Sequence, residues 1–541
     1  MTKPFAITLD VGSSLANRTG NWRVERPVYV DRLPPCNQAC PAGENIQGWL
    51  YRAEEGDYEG AWRILVEENP LPAIMGRVCY RPCETSCNRG QLDEAVGINA
   101  VERFLGDEAL RRGWRFDRPS ADSGKRVLVV GAGPCGLSAA YHLRRLGHAV
   151  HLVDADWRLG GMMQAGIPAY RLPRDVLTAE IDRILELGIE VELGVRISDV
   201  EEARLARGCD SALVAVGAQL GHRVEIPAGD SARIVDALSL LRSVEDEAPI
   251  ELGRRVAVYG GGDTAFDAAR TAKRLGATDA VVVYRRNRDR MPAHDVELEE
   301  AEAEGIRVRW LSTVVRADGK RLMIEKMRLD QDGFPQPTGE LEELAADSLV
   351  LAVGQDTDLS LVQNVAGISI EDGVVEVGGD LMTGRPGIFA GGDAVPGERS
   401  VTTAVGHGKR AARRIDGWLK GEDRQPSSGR EVASFERLNT WYYTDAPRQV
   451  RPELDAARRS TTFEEVVGGL DETNALFEAR RCLSCGNCLE CDNCYGVCPD
   501  NAVLKLGPGE RYAIDYDYCK GCGICATECP CGAIMMVPET I

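Results

Sequence analysis

Residues 125–154 read KRVLVVGAGPCGLSAAYHLRRLGHAVHLVD, and this stretch decides the fold of the central part of the chain. A short apolar strand runs into a G-x-G-x-x-G turn formed by Gly131, Gly133 and Gly136, and a helix follows at once. A second strand then ends at Asp154. Glycines here permit a tight turn and a close approach of the backbone to a pyrophosphate, whose charge faces the helix N-terminus. Asp154 is expected to accept hydrogen bonds from an adenosine ribose, so the stretch predicts a Rossmann-like dinucleotide site.

A second unit of the same kind follows at residues 254–286, which read RRVAVYGGGDTAFDAARTAKRLGATDAVVVYRR. Its second strand ends in Arg285 and Arg286 rather than in an acid. Guanidinium groups bind a 2′-phosphate, which a carboxylate would repel, so the pair favours NADP over NAD. A surface arginine pair that tolerates either nucleotide is the alternative. The residues predicted to bind this nucleotide are Gly260, Gly262, Ala265, Arg285 and Arg286.

A cysteine-rich repeat occupies the region 482–541. Its two runs, each C-x2-C-x2-C-x3-C-P, have the spacing of bacterial two-cluster ferredoxins, in which the fourth cysteine of each run ligates the other cluster. A pair of zinc sites is the alternative, but zinc usually takes two ligand pairs separated by a longer loop. The predicted ligands are Cys488, Cys491, Cys494 and Cys529 for one [4Fe-4S] cluster, and Cys498, Cys519, Cys522 and Cys525 for the other.

Composition excludes several classes of protein. The net charge of −20 argues against nucleic acid and anionic membranes as partners, and no apolar run is long enough for a transmembrane helix. The 18 cysteines are clustered, and no export signal precedes them, which favours metal ligands in a cytoplasmic protein over disulfides. No Ser-His-Asp or Cys-His constellation occurs, and we assign no side chain as catalytic acid or base. His294 lies near the second nucleotide unit as a candidate contact or a plain packing residue.

Beyond these motifs, the chain resembles the glutamate synthase small-subunit family of FAD and NAD(P) oxidoreductases. The resemblance rests on GGMM at 160–163, GIPAYRLP at 166–173, NPLP at 69–72 and GRVC at 76–79. It implies that the first glycine turn binds FAD together with Gly161, Gly392 and Asp393, and that the second binds NAD(P)H. On its own, the strand before Gly392 and Asp393 would be only a strand and a turn.

The family pattern also implies that Cys40, Cys79, Cys83 and Glu102 hold one N-terminal [4Fe-4S] cluster. A further cluster in that family uses a C-x2-C pair upstream of Cys36, and this chain has no cysteine there. Cys482 and Cys485 resemble that missing pair moved to the other end of the chain. We therefore expect Cys36, Cys87, Cys482 and Cys485 to hold one cluster, which brings the total to four. The alternatives are that the relocated pair is idle or that one N-terminal cluster is absent, and Cys135, Cys209 and Cys531 are expected to be packing residues.

The expected fold is α/β, with a helical N-terminal iron–sulfur domain, two interleaved Rossmann-like FAD and NAD(P) domains and a C-terminal bacterial-ferredoxin-like α+β module. The predicted domains are 1–120 (N-terminal [4Fe-4S]), 121–250 and 356–420 (FAD), 251–355 (NAD(P)), 421–481 (linker) and 482–541 (2[4Fe-4S]).

Residues 430–541 resemble the tail of flavin subunits of 2-oxoacid oxidoreductases of the phenylglyoxylate dehydrogenase type. This resemblance implies an electron-transfer subunit that exchanges electrons between [4Fe-4S] clusters and NAD(P), with oxidation on partner chains that carry thiamine diphosphate. The alternatives are a glutamate synthase small subunit, a stand-alone NAD(P)H:ferredoxin oxidoreductase, possibly bifurcating, and a non-catalytic scaffold.

Overall fold

The computed structural model describes residues 18–119, 121–222, 224–229, 232–422 and 429–539. A helical segment is followed by two parallel-sheet units, the second inserted into the first, then by a long irregular segment and a small cysteine-rich module. This order confirms the predicted α/β class with interleaved nucleotide-binding units. Within these described ranges, no helix has both the length and the apolar content that crossing a membrane requires.

The N-terminal helical segment packs around Trp49 and Trp62, which are both fully buried. Asn45 and Asp57 begin two of its helices, because their side-chain oxygens accept hydrogen bonds from backbone amides three residues further on. Burial of these tryptophans supplies the apolar core against which the cysteine-bearing turns are held. The helices are α1 (Pro35–Ala39), α2 (Ile46–Glu54), α3 (Tyr58–Val66), α4 (Pro72–Val78), α5 (Pro82–Thr85) and α6 (Ile98–Arg112).

The first nucleotide-binding unit is a five-stranded sheet in which every strand pairs in parallel. In spatial order its strands are β18 (Ile388–Ala390), β5 (Ser211–Val214), β2 (Arg126–Val130), β3 (Ala149–Asp154) and β4 (Glu190–Leu193). Its helices are α7 (Pro134–Arg145), α8 (Met162–Ala165), α9 (Arg174–Leu185), α10 (Val200–Ala206) and α14 (Val401–Lys420). β18 and α14 follow the second unit in the chain, so the first unit is built from segments on both sides of the insertion.

The second unit is another five-stranded parallel sheet, flanked by a three-stranded antiparallel sheet. The parallel strands are β10 (Arg307–Arg309), β9 (Asp279–Val283), β8 (Arg255–Tyr259), β14 (Ser348–Leu351) and β7 (Ile234–Asp236). The helices are α11 (Ala237–Glu245), α12 (Asp263–Arg274) and α13 (Asp295–Ala303), and the antiparallel strands are β11 (Ser312–Asp318), β12 (Arg321–Leu329) and β13 (Pro335–Ala345). Two-residue strands form two further pairs: β6 (Leu220–Gly221) with β15 (Gln355–Asp356), and β16 (Ile370–Glu371) with β17 (Val374–Val375).

The C-terminal module has the two-fold internal similarity that its repeated cysteine runs predict. Each run contains a short helix, α17 (Asn493–Val497) in the first and α18 (Ile524–Thr527) in the second, and an antiparallel pair joins β19 (Val503–Lys505) to β20 (Tyr512–Ile514). Its last strand, β21 (Ile534–Pro538), pairs antiparallel with β1 (Glu25–Tyr29). The sequence did not predict this pairing, which joins the two ends of the described chain.

The segment 429–481 crosses the rest of the molecule and contains two short α-helices, α15 (Ala456–Arg459) and α16 (Glu472–Ala479), and two 3-10 turns (Phe435–Arg437 and Thr440–Tyr442). Its backbone carbonyl groups accept hydrogen bonds from buried arginines: Thr462 from Arg274 at 2.9 Å and Val467 from Arg103 at 2.5 Å. These arginines belong to the second nucleotide unit and to the N-terminal segment. The predicted linker is thus pinned to both units by charge-assisted hydrogen bonds.

Candidate functional site

The first glycine turn has the geometry that a pyrophosphate needs. Gly131 has φ of +108°, and a Cβ atom there would overlap the carbonyl oxygen of Ala215. A Cβ atom at Gly136 would overlap the carbonyl oxygen of Gly131, which is why the third glycine is required. At Gly133 the only atom near such a Cβ is the Cα of Gly161, 3.9 Å away, so the backbone is open to a ligand.

Asp154 ends β3 beside this turn and holds the turn in place. Its carboxylate accepts hydrogen bonds from the amide of Ala132 at 2.6 Å and from the amide of Asp156 at 2.8 Å. Burial raises the pKa of this carboxyl, and the two amide hydrogen bonds oppose the rise. Each carboxylate oxygen can accept a second hydrogen bond, so a ribose hydroxyl can still bind here. Asp154 and Gly131 both line a cavity that opens at this edge of the sheet.

The same cavity continues past Gly161 to Gly392 and Asp393. Gly161 adopts a φ of +54°, and a Cβ atom there would lie 2.8 Å from the Cα of Gly133. The backbone amide of Gly392 donates to Nδ1 of His407 at 3.1 Å, and burial lowers the pKa of that imidazole. His407 is therefore a neutral acceptor that orients the Gly392–Asp393 turn, a role that the sequence analysis missed.

The N-terminus of α14 also faces this cavity. Ser400 is its N-cap, with Oγ accepting a hydrogen bond from the amide of Thr403 at 3.2 Å, and Ser400, Val401 and Ala404 line the cavity wall. The positive end of the helix dipole is thus directed at a bound cofactor. A serine directly before a long amphipathic run is a sequence signal that could have located this helix start.

The second glycine turn lies in a separate cavity. A Cβ atom at Gly260 would overlap the carbonyl oxygen of Ala352, whereas no atom lies within 4 Å of one at Gly262. Ala265, the third position of this turn, is fully buried under the sheet. Arg285 and Arg286 line the same cavity as Gly260 and Gly262. All five residues predicted for the second nucleotide therefore lie in or directly beneath one cavity.

The two cavities meet at Thr264, Gln355 and Arg399, which line both of them. Nε2 of Gln355 donates to Oγ1 of Thr264 at 3.2 Å, and Arg399 donates to the carbonyl oxygen of Gln355 at 2.7 Å. Ligands that occupy the two cavities would meet at this junction. Transfer between two bound nucleotides requires such a meeting point.

His294 lies outside the described walls of both cavities. Its ring stacks on Tyr80, with 3.4 Å between ring centroids, and its Nδ1 lies 3.0 Å from the carboxylate of Asp263. This hydrogen bond raises the pKa of His294, although partial burial opposes the rise. Tyr80 belongs to the N-terminal segment, so the stack joins that segment to the second nucleotide unit. The candidate nucleotide contact is thus a contact between domains.

The predicted N-terminal ligands Cys40, Cys79, Cys83 and Glu102 lie together, and we call them the inner group. Burial, and then the neighbouring charge of Glu102, raises the pKa of Cys79 to about 12. The pKa of Cys83 is raised well above its usual range, chiefly by burial and next by Cys79. Val78 and Tyr80, on either side of Cys79, line the first cavity. The inner group therefore borders the predicted flavin site.

Glu102 is buried, and its Oε1 accepts a hydrogen bond from Nδ2 of Asn69 at 3.0 Å. The same amide group donates to Oε1 of Glu44 at 2.9 Å. Burial raises the pKa of Glu102 well above its usual range, and the charge of Glu44 adds to this. A bound iron cation would offset the cost of ionising Glu102 there. The sequence analysis did not identify Glu44 and Asn69 as neighbours of the predicted ligand Glu102, because neither residue belongs to a cysteine motif.

The structure also brings together Cys36, Cys87, Cys482 and Cys485, which we call the bridging group. The pKa of Cys36 is raised well above its usual range by burial, followed by the charges of the other three thiols. Burial and the neighbouring Cys87 raise the pKa of Cys485 to about 11. Metal binding would offset this mutual repulsion between thiolates.

The segment that carries Cys482 and Cys485 is anchored to the N-terminal helical segment directly before the pair and between its two cysteines. Arg481 is nearly fully buried and forms ion pairs with Glu478 at 2.6 Å and with Asp93 at 3.3 Å. Nε2 of Gln47 donates to Oγ of Ser484 at 3.3 Å. These contacts fix the position of the C-terminal pair against the N-terminal cysteines.

The eight cysteines of the repeats separate into the two crossed sets. The first ferredoxin group is Cys488, Cys491, Cys494 and Cys529, and the second is Cys498, Cys519, Cys522 and Cys525. Burial raises the pKa of Cys488 to about 11, and the charges of Cys494 and Cys529 add to this. For Cys525 burial raises the pKa to about 12, with further contributions from Cys519, Cys494, Cys522 and Cys498.

Within the described residues, no three His, Cys, Asp or Glu side chains converge on a point where one metal ion could bind. In a cubane each thiolate ligates a different iron, so its four sulfurs need not converge in this way. Sets of four thiols, or three thiols and a carboxyl, are the donors that such clusters use, and the residues present fit that group.

The remaining cysteines occupy three different environments. Cys209 is buried against the core of the first sheet. Cys135 is buried in the wall of the first cavity. Sγ of Cys531 lies 3.7 Å from Sγ of Cys529, so this thiol touches a predicted cluster ligand.

Comparison with known proteins agrees with this arrangement. The family model described as pyridine nucleotide-disulphide oxidoreductase matches residues 125–408. Two further models match: dihydropyrimidine dehydrogenase domain II, 4Fe-4S cluster, at residues 26–114, and a 4Fe-4S binding domain at residues 512–535.

Three curated relatives illustrate the similarity. The chain is 35% identical over 505 residues to the NADP(+)-dependent formate dehydrogenase subunit beta of Moorella thermoacetica, which covers 83% of this chain and 70% of the relative. It is 30% identical over 525 residues to the NADPH-Fe(3+) oxidoreductase subunit beta of Geobacter sulfurreducens, covering 85% and 77%. It is 31% identical over 420 residues to the glutamate synthase [NADPH] small chain of Escherichia coli, covering 72% and 89%.

These matches confirm the resemblance read from the sequence, including the iron–sulfur segments at both ends of the chain. The chain belongs to the pyridine nucleotide-disulphide oxidoreductase family, as an NAD(P)-dependent flavin and iron–sulfur oxidoreductase.

Proposed function

We propose that this chain is the electron-transfer subunit of a larger complex and exchanges electrons between NADP(H) and a partner chain through FAD and four [4Fe-4S] clusters. The observation that supports this proposal best is that the two cavities meet, and that the inner group borders the flavin cavity. The later sites are linked by adjacent chain positions or by a backbone hydrogen bond.

The residues that would hold FAD are those of the first cavity: Gly131, Gly133, Gly136, Asp154, Gly161, Gly392 and Asp393. Gly133 offers open backbone to the pyrophosphate, Asp154 accepts from the ribose, and the N-terminus of α14 faces the cofactor with its positive end. When bound, FAD exchanges a hydride with a nicotinamide and single electrons with iron–sulfur clusters. No side-chain acid or base is required for a hydride transfer, and the junction of the cavities supplies position only.

The second cavity would hold the nicotinamide nucleotide. Gly260 and Gly262 allow its pyrophosphate to approach the turn, and Ala265 packs beneath it. Arg285 and Arg286 would neutralise the 2′-phosphate of NADP with charge-assisted hydrogen bonds. Their presence in the cavity wall supports NADP as the preferred nucleotide.

Four sets of side chains would hold the clusters: the inner group, the bridging group and the two ferredoxin groups. A [4Fe-4S] cluster takes up and releases one electron at a time. Cys79 of the inner group lies between two residues of the flavin cavity wall. The bridging group comes next on the proposed route. Cys83 of the inner group and Cys87 of the bridging group are four residues apart in the chain.

The bridging group adjoins the first ferredoxin group through one short segment. The amide of Gly486, next to Cys485, donates to the carbonyl oxygen of Cys531 at 2.6 Å. Between the two ferredoxin groups, Cys494 of the first influences the pKa of Cys525 of the second. The proposed route thus runs from the flavin cavity through the inner, bridging, first ferredoxin and second ferredoxin groups.

The partner is proposed from similarity. The C-terminal resemblance favours a thiamine-diphosphate 2-oxoacid oxidoreductase as the partner, and the Moorella thermoacetica relative is by name a formate dehydrogenase subunit. Both support an oxidation that takes place on another chain. A separate ferredoxin is the alternative one-electron partner. Clustered, metal-binding cysteines support a cytoplasmic location for the complex.

The proposal is tested with anaerobically purified chain. An excess of NADPH, which donates two electrons per molecule, should bleach the flavin absorbance and produce electron paramagnetic resonance signals of reduced clusters, and NADH should do so more slowly. Dithionite reduces clusters without using the nucleotide site and serves as the control. Clusters that dithionite reduces but NADPH does not would refute the route, and a colourless chain without flavin or labile sulfide would refute the whole proposal.

A further inference from the structure

The internal repeat of the C-terminal module allows the two ferredoxin groups to be compared atom for atom. Each group has one exposed cysteine, Cys491 in the first and Cys522 in the second. Each also has one cysteine of intermediate exposure and two buried ones. Solvent exposure, one of the factors that set the potential of a cluster, is therefore nearly the same at both sites.

One backbone hydrogen bond to sulfur is matched in the two groups, but the charges between the ligands differ: Glu490 and Asp492 of the first run correspond to Gly521 and Gly523 of the second, and Lys520 of the second corresponds to Leu489 of the first. The amide of Ala502 donates to Sγ of Cys498 at 3.2 Å, and its repeat equivalent, the amide of Ala533, donates to Sγ of Cys529 at 3.3 Å. One arginine lies near each group: Arg511 near Cys488 and Arg23 near Cys519. Both arginines are ion-paired, with Asp31 and Glu539 respectively.

Two side chains lie within hydrogen-bond distance of ligand sulfurs, and both contact the first ferredoxin group. The hydroxyl of Tyr29 lies 3.2 Å from Sγ of Cys494. The thiol of Cys531 lies 3.7 Å from Sγ of Cys529. In the part of the chain that the structure describes, no side-chain hydrogen bond reaches a sulfur of the second group. The repeat equivalent of Cys531 is Asp500, whose carboxylate forms an ion pair with Lys520 at 3.5 Å instead.

Tyr29 reaches the module because β1 pairs with β21, where Tyr29 lies opposite Ile534. Its ring stacks on Tyr512 with 6.4 Å between centroids. Cys531 is held in the interior, with only 2% of its surface exposed. Packing therefore fixes both donor side chains, so neither has to lose further conformational freedom to form its hydrogen bond.

We propose that Tyr29 and Cys531 each raise the reduction potential of the cluster held by the first ferredoxin group. A hydrogen bond to a ligand sulfur stabilises the reduced, more negative state of a cluster. Each of the two contacts therefore shifts an electron shared by the two clusters toward the first, beside the bridging group. The inference rests on the ligand sets proposed above, and it makes the two residues positioning groups rather than ligands.

The test is a redox titration of the full-length chain, monitored by electron paramagnetic resonance. The two ferredoxin-type clusters are recognised by mutual spin coupling when both are reduced. Tyr29→Phe and Cys531→Ala should each lower the same one of these two potentials and leave the other unchanged. Loss of one neutral hydrogen bond is expected to change the equilibrium ratio of the reduced first cluster to the reduced second cluster roughly fivefold. Cys531→Ser keeps a donor and should show a smaller change than Cys531→Ala.

Tyr512→Phe is the matched control, because the hydroxyl of Tyr512 bonds to Asp492 and not to a sulfur. Iron and labile sulfide are counted for each variant, which separates failure of this inference from failure of the ligand sets. Unchanged potentials in both Tyr29→Phe and Cys531→Ala, or shifts of different potentials in the two variants, would overturn the inference. Loss of one cluster from Cys531→Ala but not from Cys529→Ala would overturn it as well, by making Cys531 the ligand.

Discussion

Replacement of both Cys482 and Cys485 by serine tests whether the two ends of the chain share one cluster. Their thiols lie with those of Cys36 and Cys87, and neither belongs to the other three groups. Four cubanes contain about sixteen irons, so loss of the bridging cluster should reduce the iron content to about twelve per chain, with an equal fall in labile sulfide. The loss should be a whole cluster, because two remaining thiols cannot retain a cubane.

The same variant should interrupt the route without disabling either end of it. NADPH should bleach the flavin at the wild-type rate, whereas signals from the ferredoxin-type clusters should develop far more slowly. Cys209→Ser is the control, since Cys209 is buried but distant from every group. Iron, sulfide and FAD are measured by chemical analysis of the anaerobic protein. An unchanged iron content in the double variant would refute the shared cluster and leave Cys482 and Cys485 as idle thiols.

Two further predictions concern the nucleotide cavity and the domain contact. Arg285→Ala and Arg286→Ala should each raise KM for NADPH roughly tenfold or more, because a charge-assisted hydrogen bond to the 2′-phosphate is lost. KM for NADH should change little. Equal increases in KM for both nucleotides in steady-state assays would contradict this prediction. The hydrogen bond with Asp263 raises the pKa of His294 above its unfolded value of about 6.5, so the pair stabilises the fold fully below that pH and loses this contribution as pH rises through the raised pKa. The Tm difference between wild type and His294→Ala should therefore shrink from pH 6 to pH 9, and a constant difference across that range would show that the pair does not titrate.

The local parts of the site could be predicted from sequence because their chemistry is local. Gly131 and Gly136 lie within one turn, and the overlap that Gly136 avoids involves the carbonyl oxygen of Gly131 in that same turn. The overlap that Gly131 avoids involves Ala215, which follows a distant strand, so that part of its role does not show in the local sequence. The cysteine runs are equally self-contained, since the spacing of three ligands defines one face of a cubane. The bridging group could be predicted only by counting the cysteines left without cluster partners and comparing them with the family pattern. Spacing alone gives no distance between Cys36 and Cys482.

Contacts between distant segments carried no such signal. His407 supports the turn at Gly392 from within a helix whose apolar stripe looks like that of any packing helix. Tyr29 reaches Cys494 only through a strand pairing that period-two alternation over five residues cannot specify. Residues 421–481 were expected to be a linker because they are polar. In the described part, 429–481, backbone carbonyl groups accept hydrogen bonds from buried arginines of other segments, and such contacts leave no trace in the composition of the segment itself.

The pairing of β1 with β21 has a consequence for how the protein is made. At ordinary rates of translation, roughly half a minute or more separates the emergence of Tyr29 from that of Ile534 at the ribosome. During that interval the N-terminal strand has no edge to join, and Cys36 and Cys87 wait for Cys482 and Cys485, with which we propose that they share a cluster. Iron and sulfide could then complete this bridging cluster only after most of the chain has been synthesised, which would make its assembly a late event in biogenesis.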